Sequence, residues 1–556
     1  MASVARAAAA APPASPRPAA SSVPVDALSW LGSAFLFVMG ALVPLFVIPY
    51  GWFPHFDTIA PEAFVAKGLL LLGLGGAALA VAAILLFTDQ WRRLTGPAML
   101  PALALAAWVA WGTLSVFIHP NGVYTFSLWS QTVIGALAAI AGALIIRRPS
   151  QVRAILWGVM CAAVIVAVIG ILGTRGWRGF NMWVFNMDPG LTLERADLAR
   201  LDVGGKGGTR SGPAMSTLAN PEYSGTYCAI IASLWAVVLL DWPRGKRNPW
   251  LLRGLALIAI PILLLEMAVS SSRQAWLAIA IAAAFRLFLE LRIRKLFLAA
   301  GFCTFLFFLS FFGVAYGMAF FVIFSLGILA YSAMKGVLFT TLRRADRFNL
   351  TMILGAPLLV ALMIVAYSIP GPWNPSGVRV FQRFQTLLSK NDSSFQERAM
   401  FFMIASDIVW KEPLFGAGPG RFRNKFTLVL GELDHNDESG VMRTTHTRLG
   451  NKIDNWTHND YLQTAAETGL VGLALFLSAM IFLFARLSAI IDRVADPRRP
   501  LALAVIVCLA AFFCVMLSSF PLFEPSRAAV FWTLVACGFG LIAQDQNGSD
   551  GSVRTG

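Results

Sequence analysis

Charged side chains are scarce: Asp, Glu, Lys and Arg make up 13% of the 556 residues, about half the share usual in a soluble domain. A chain this poor in charge and 57% hydrophobic cannot clothe itself in polar surface, which excludes an ordinary soluble globular protein. Cysteine is sparse too. The six present, Cys161, Cys228, Cys303, Cys508, Cys514 and Cys537, all fall inside long apolar runs, which excludes a disulfide framework in the loops between them. No Asp-x-Asp pair of the kind that holds a metal-bound nucleotide sugar occurs, and no metal-ligand spacing is present. The expected complement of cofactors and metals is none.

What the chain has instead is a succession of apolar runs, about fourteen of them, each of roughly the 20 residues that carry a helix across about 30 Å of hydrocarbon. They fall near 28–50, 62–87, 98–118, 128–146, 152–173, 221–241, 251–271, 274–291, 295–313, 316–335, 349–369, 462–485, 500–520 and 528–544. Between 295 and 335 only a weak turn from Gly313 to Gly317 divides the run. The expected fold class is therefore all-α, a polytopic transmembrane helix bundle of about 12–14 spans.

Basic residues set its orientation, because Lys and Arg concentrate in cytoplasmic loops. Arg92 and Arg93, then Arg147, Arg148 and Arg153, then Arg244, Lys246, Arg247 and Arg253, then Arg292, Arg294 and Lys295 follow every second span, continued by Arg343, Arg344 and Arg347 and by Arg493, Arg498 and Arg499. Both termini are thus expected inside. The formal charge of +15 is read as topological, lying against anionic lipid head groups, and not as a nucleic-acid surface. The division expected along the chain is a disordered cytoplasmic tail over 1–25, rich in Ala, Pro and Ser, a transmembrane region over 26–369, a large external loop with short helices over 370–461, C-terminal spans over 462–545 and a second tail over 546–556. The first apolar run is long enough to remain as a span, so a cleaved leader is not expected.

Two external connections, 174–220 and 370–461, are too long for simple turns. In the second, Ser394 and Glu397 have capping-box spacing ahead of an apolar pattern through Phe402, Ile404, Ile408 and Val409 that stops before Pro413, predicting a short amphipathic helix. Gly416, Gly418 and Gly420 follow, with Arg421, Arg423 and Lys425 beside them. All five histidines, His55, His119, His435, His446 and His458, map to the external side. His458 stands out because Thr457 to Asp460 reads as the first turn of the next helix, where the helix dipole disfavours an imidazolium and keeps the ring able to accept a proton. Arg273 stands in a very short external turn between apolar helices, where an ionisable residue is a functional candidate, with Glu266 on the same face as a possible ion-pair partner.

These stretches together carry a resemblance. Ser271 to Leu277, the stretch from Arg383 to Arg398 leading to Pro413–Gly418, and His458 to Gly472 resemble, in that order, the bacterial O-antigen ligase and O-antigen polymerase superfamily, over roughly residues 215–475. The pattern departs from the family in spacing, since two additional spans near 295–335 separate Arg273 from the large loop. The resemblance implies a metal-independent membrane glycosyltransferase of the bacterial inner membrane, its active site facing the periplasm. The implied partners are an undecaprenyl-pyrophosphate-linked glycan donor, a lipid A core or polysaccharide acceptor, and the bilayer. It assigns Arg273 and Arg398 to the pyrophosphate and His458 to the catalytic loop histidine.

Ligase and polymerase readings share this chemistry, and a third branch of the superfamily glycosylates protein hydroxyls. A transporter or flippase of lipid-linked sugar is the reading from another class. Against it, no internal repeat is evident, and the charged candidates gather at one face instead of lying at mid-membrane.

Overall fold

The computed structural model describes residues 23–46, 59–119, 123–174, 216–218, 220–241, 249–270, 272–290, 393–436 and 456–545. The expected spans at 295–313, 316–335 and 349–369 and the turn between Gly313 and Gly317 lie outside the described residues.

The described chain is helical, as 20-residue apolar runs in lipid must be, since only a helix satisfies every backbone group within one segment. The helices are α1 (Val23–Leu45), α2 (Ile59–Leu86), α3 (Met99–Ile118), α4 (Val123–Ile145), α5 (Pro149–Thr174), α6 (Pro221–Asp241), α7 (Pro249–Val269), α8 (Arg273–Glu290), α9 (Ser393–Lys411), α10 (Phe422–Asn436), α11 (Asp460–Asp492), α12 (Arg499–Val515) and α13 (Pro525–Ala543). Eight of these are long and apolar enough to cross a membrane, and shorter apolar helices at Trp129–Ile145, Gln274–Ala283 and Arg499–Val515 add three more among the described residues. The protein is a polytopic helical bundle.

Boundaries shift where local chemistry overrides hydropathy. α1 opens at Val23, inside the stretch expected to be a disordered tail. The apolar run expected to end near 520 stops as a helix at Val515. Residues 516–524 then form a buried connection, because Pro521 cannot continue the ladder and Glu524 caps α13 by accepting from the backbone N–H groups of Ser526 and Arg527.

α13 is the central staff of the bundle. Every one of its residues is buried, and it packs against α4, α1 and α12. A Cβ on Gly142 of α4 would collide with the carbonyl of Ala536, so the small residue is what lets these two helices approach, the usual device of helix pairs in lipid. Trp532 then meets Trp108 at 6.1 Å between ring centroids, and Trp108 meets Phe476 of α11 at 5.0 Å.

Polar contacts segregate to the two ends. At one end Arg147 and Arg148 both hold Asp26 at 2.7 Å, Arg93 donates to the Ile146 carbonyl at 2.9 Å, and Asp545 binds Arg493 and Arg498. Burial and the neighbouring Arg147 pull Arg93 down to about 10, which still leaves it cationic at neutral pH. Burial works against the charge on Asp496, but the hydrogen bonds and charge of Arg498 outweigh it and hold the carboxyl below its ordinary range. Among the described residues, the basic loops around Arg93, Arg147 and Arg498 thus lie at one end of the bundle. The opposite end carries the candidate site.

Candidate active site

The segment from Trp456 to Gly469 builds the site's floor, and almost every polar residue in it has a structural task. Asn459 is the N-cap of α11, its side-chain oxygen accepting from the N–H groups of Tyr461 and Leu462 at 3.0 Å each. Its amide donates to the Leu517 carbonyl at 2.9 Å. Asp460 donates its N–H to Met516 O at 2.9 Å, and its carboxylate accepts from Leu522 N at 3.0 Å. Gln463 reaches back to the N–H of Thr457 at 2.7 Å, and the Tyr461 hydroxyl donates to Phe513 O at 2.9 Å. The start of α11 is therefore stitched to the 516–524 connection.

His458 has a different position. The sequence expectation put it in the first turn of α11; it instead precedes the cap, with φ 54, because Asn459 takes the capping role. A side-chain-bearing residue in the left-handed region is uncommon, and such backbone strain gathers at functional sites. The imidazole is half-buried and flanked by two rings, stacked on Phe401 at 5.6 Å and edge-on to Phe520 at 5.1 Å.

Phe401 belongs to α9, the amphipathic helix expected ahead of Pro413; it begins at Ser393, so Ser394 already lies inside it. Arg398 is three residues from Phe401 on α9 and hence on the same face. Its guanidinium meets the Glu222 carboxylate of α6 at 3.3 Å. Next to Glu222, Tyr223 packs on Phe520 at 5.5 Å, which closes a ring of contacts through Arg398, Glu222, Tyr223, Phe520, His458 and Phe401.

Arg273 opens α8; its side chain lies outside the described residues. Its neighbour Gln274 donates to the Ser518 carbonyl, so the start of α8 docks on the same 516–524 connection. The expected partner of Arg273, Glu266, is fully buried and accepts from the Ser224 hydroxyl at 2.5 Å. The three sequence candidates, far apart in the chain, thus converge on one end of the bundle.

A second joint holds α9 and α10 over this floor. α11 breaks at Gly469 (φ 73, ψ 176), and the Pro413–Gly420 loop fills the break: Leu470 N donates to Pro413 O at 2.7 Å, Ala417 N to Ala466 O at 2.8 Å and Gly418 N to Glu467 O at 3.0 Å. The buried Glu467 carboxylate accepts from the N–H groups of Gly420 and Phe422, at the start of α10. On the outer side Glu412 binds Lys425 at 2.5 Å and His119 at 3.5 Å. Among the described residues no group of three His, Cys, Asp or Glu side chains is placed to hold a metal ion.

Sequence reasoning missed Glu222, Lys67 and the pair Glu524 and Arg527. Arg527 is entirely buried, 3.2 Å from Glu524, and its guanidinium lies 4.1 Å from the Tyr223 ring centroid, directly behind the site. Lys67, buried in α2, donates to Thr217 O at 2.6 Å and ties the 216–218 turn into the bundle. The sequence signal was the Glu-Pro-Ser-Arg run at 524–527, a capping acid and an N1 proline that mark a helix start.

Residues 256–477 match the family model described as O-antigen ligase. The matched stretch runs from α7 into α11 and contains Arg273, Arg398 and His458 but not Glu222 or Arg527. No curated protein matches the chain. The family match supports a membrane enzyme that transfers glycosyl groups in polysaccharide biosynthesis.

Proposed function

We propose, from the match of residues 256–477 to the O-antigen ligase family model, that the chain moves a glycan from an undecaprenyl-diphosphate donor to an acceptor hydroxyl, in the manner of an O-antigen ligase. The observation that carries this reading is the ring formed by Arg398, His458 and the 516–524 connection, with the start of α8 docked beside it.

In the proposed step the acceptor oxygen attacks the anomeric carbon. The bond from that carbon to the diphosphate oxygen breaks, and the electron pair leaves with undecaprenyl diphosphate. The acceptor proton passes to His458, a group of the type that serves as general base near neutral pH. Arg398 and Arg273 bear the charge that develops on the leaving diphosphate, for which a planar guanidinium fork is better suited than a point charge. We place the site end of the bundle in the periplasm of a bacterial inner membrane, since the described basic loops around Arg93, Arg147 and Arg498 lie at the opposite end and such loops face the cytoplasm. Among the described residues the ionisable candidates Arg398, Glu222 and His458 lie together at one end of the bundle, which favours interfacial chemistry over a transport path.

Arg273→Lys and Arg398→Lys preserve charge and remove the fork. Each lowers transfer from a purified lipid-linked donor by about tenfold or more, the worth of a lost charge-assisted hydrogen bond. Wild-type rates in both variants would take the two arginines out of diphosphate recognition.

A further inference from the structure

Glu222 stands outside the matched family stretch, yet it meets Arg398 at the centre of the site. It is rigidly mounted: it lies in the first turn of α6, where the helix dipole favours a carboxylate, and the Asn220 side chain accepts its N–H at 2.8 Å. The next residue, Tyr223, is wedged between Phe520 and Arg527. The carboxylate uses only Oε2 on Arg398, in one long contact of 3.3 Å. Its other oxygen, Oε1, is shielded from water and accepts no hydrogen bond among the described residues.

A carboxylate oxygen stripped of water calls for a donor, because leaving it unmatched costs more than a neutral group would. The described groups around Glu222 do not supply it. Glu222 belongs to the same ring of contacts as His458, since its neighbour Tyr223 packs on Phe520 and Phe520 meets the His458 ring, and a fixed polar group among aromatic rings is the makeup of a small-molecule subsite. Arg398 lies on the other oxygen, so whatever fills the Oε1 side sits next to an anion held by Arg398. A ligand that offers a hydroxyl there and a phosphate on the guanidinium is a sugar bearing a diphosphate.

We propose that Glu222 is the sugar-recognition residue of the site, its Oε1 accepting a hydroxyl of the first sugar on the diphosphate. This rests on the proposed function and deepens it: Arg398 reads the diphosphate, and Glu222 requires that a sugar be attached. The carboxylate also repels a second anion at that position, so a sugar-free diphosphate gains nothing from it.

The test compares binding of two probes by the purified full chain in detergent: undecaprenyl diphosphate carrying one sugar, and undecaprenyl diphosphate alone. Glu222→Ala weakens the sugar-bearing probe by about tenfold to a hundredfold, the worth of a hydrogen bond to a charged group, and leaves the sugar-free probe within about twofold of wild type or tighter. Glu222→Gln, nearly isosteric and still an acceptor, loses affinity for the sugar-bearing probe alone and to a smaller degree. A thermal unfolding midpoint matching wild type certifies each variant's fold. Equal weakening of both probes by Glu222→Ala would reduce Glu222 to a prop for Arg398 and overturn the proposal, as would no weakening of either. Failure of the wild-type chain to bind the sugar-free probe would instead strike at the diphosphate reading of the site.

Discussion

At the level of single residues, the motif around His458 divides sharply into parts that build and a part that is presented. Thr457, Asn459, Asp460, Tyr461 and Gln463 spend most of their polar atoms on α11 and its neighbours, whereas His458 is held by rings at a strained φ of 54. His458 and Arg273 stand out in the sequence as polar residues at the edges of apolar runs, and Arg398 only through the family resemblance; the fold brings them to one end of the bundle, and their roles are proposals. Glu222 and Arg527 do not stand out, since each lies just after a proline at a helix start and reads as part of a cap until the fold shows what lies across from it. Arg527 is the costlier to disturb. Arg527→Met leaves Glu524, only 2% exposed, without its counter-charge, and loss of one partner of a buried ion pair costs about 3–5 kcal/mol. A thermal melt of the purified variant in detergent checks this: a drop of several degrees in midpoint is expected, and an unchanged midpoint would show that the pair contributes nothing to stability.

Among elements, the break in α11 and the loop that fills it are the joint on which α9 and α10 ride. The sequence announces a glycine-rich turn at 416–420 and an apolar helix from Tyr461, but it does not reveal that the two interlock, because the glycine at 469 sits in a run that hydropathy reads as continuous helix. The structure explains both glycines. Gly469 has φ 73, and a Cβ there would run into the Leu414 carbonyl; Gly416 has φ 64 and would press on the backbone of Ala466 and Glu467. The 516–524 connection escaped sequence reading for a related reason, its Phe520, Leu522 and Phe523 being as apolar as the helix before it. Gly469→Ala forces a side chain into the left-handed region and onto a carbonyl, so it should separate α9 from His458. Its expected signature is a loss of transfer together with faster proteolysis within 393–436, measured by limited digestion in detergent. Wild-type activity with an unchanged cleavage pattern would mean that the joint does not govern the site.

For the whole molecule, hydropathy was sufficient to anticipate a helical bundle, since it follows from the cost of burying charge in lipid, while the alternation of basic loops supplies a sidedness that labelling must test. The order of packing, with α13 at the centre and α4 pressed on it through Gly142, was not legible, because apolar helices in a bilayer are told apart by shape and small residues and not by hydrophobicity. The two-ended arrangement carries a topological expectation. A cysteine introduced by Ser439→Cys, between α10 and α11 in the chain, reacts with a membrane-impermeant thiol reagent added to intact spheroplasts. One introduced by Pro497→Cys, beside the Arg498 cluster, reacts only after the membrane is opened. The opposite pattern would invert the bundle.

The central claim is that this end of the bundle transfers glycans with His458 taking the acceptor proton. Its most direct measurement is transfer from a purified lipid-linked donor in detergent by His458→Ala, with His435→Ala and His446→Ala in parallel and donor binding read separately. Loss of a general base costs a factor of about 10² to 10⁴ in rate, so His458→Ala is expected to bind donor, to fold as wild type does and to lose nearly all turnover, while the other two variants stay active. Near wild-type turnover by His458→Ala would contradict the account.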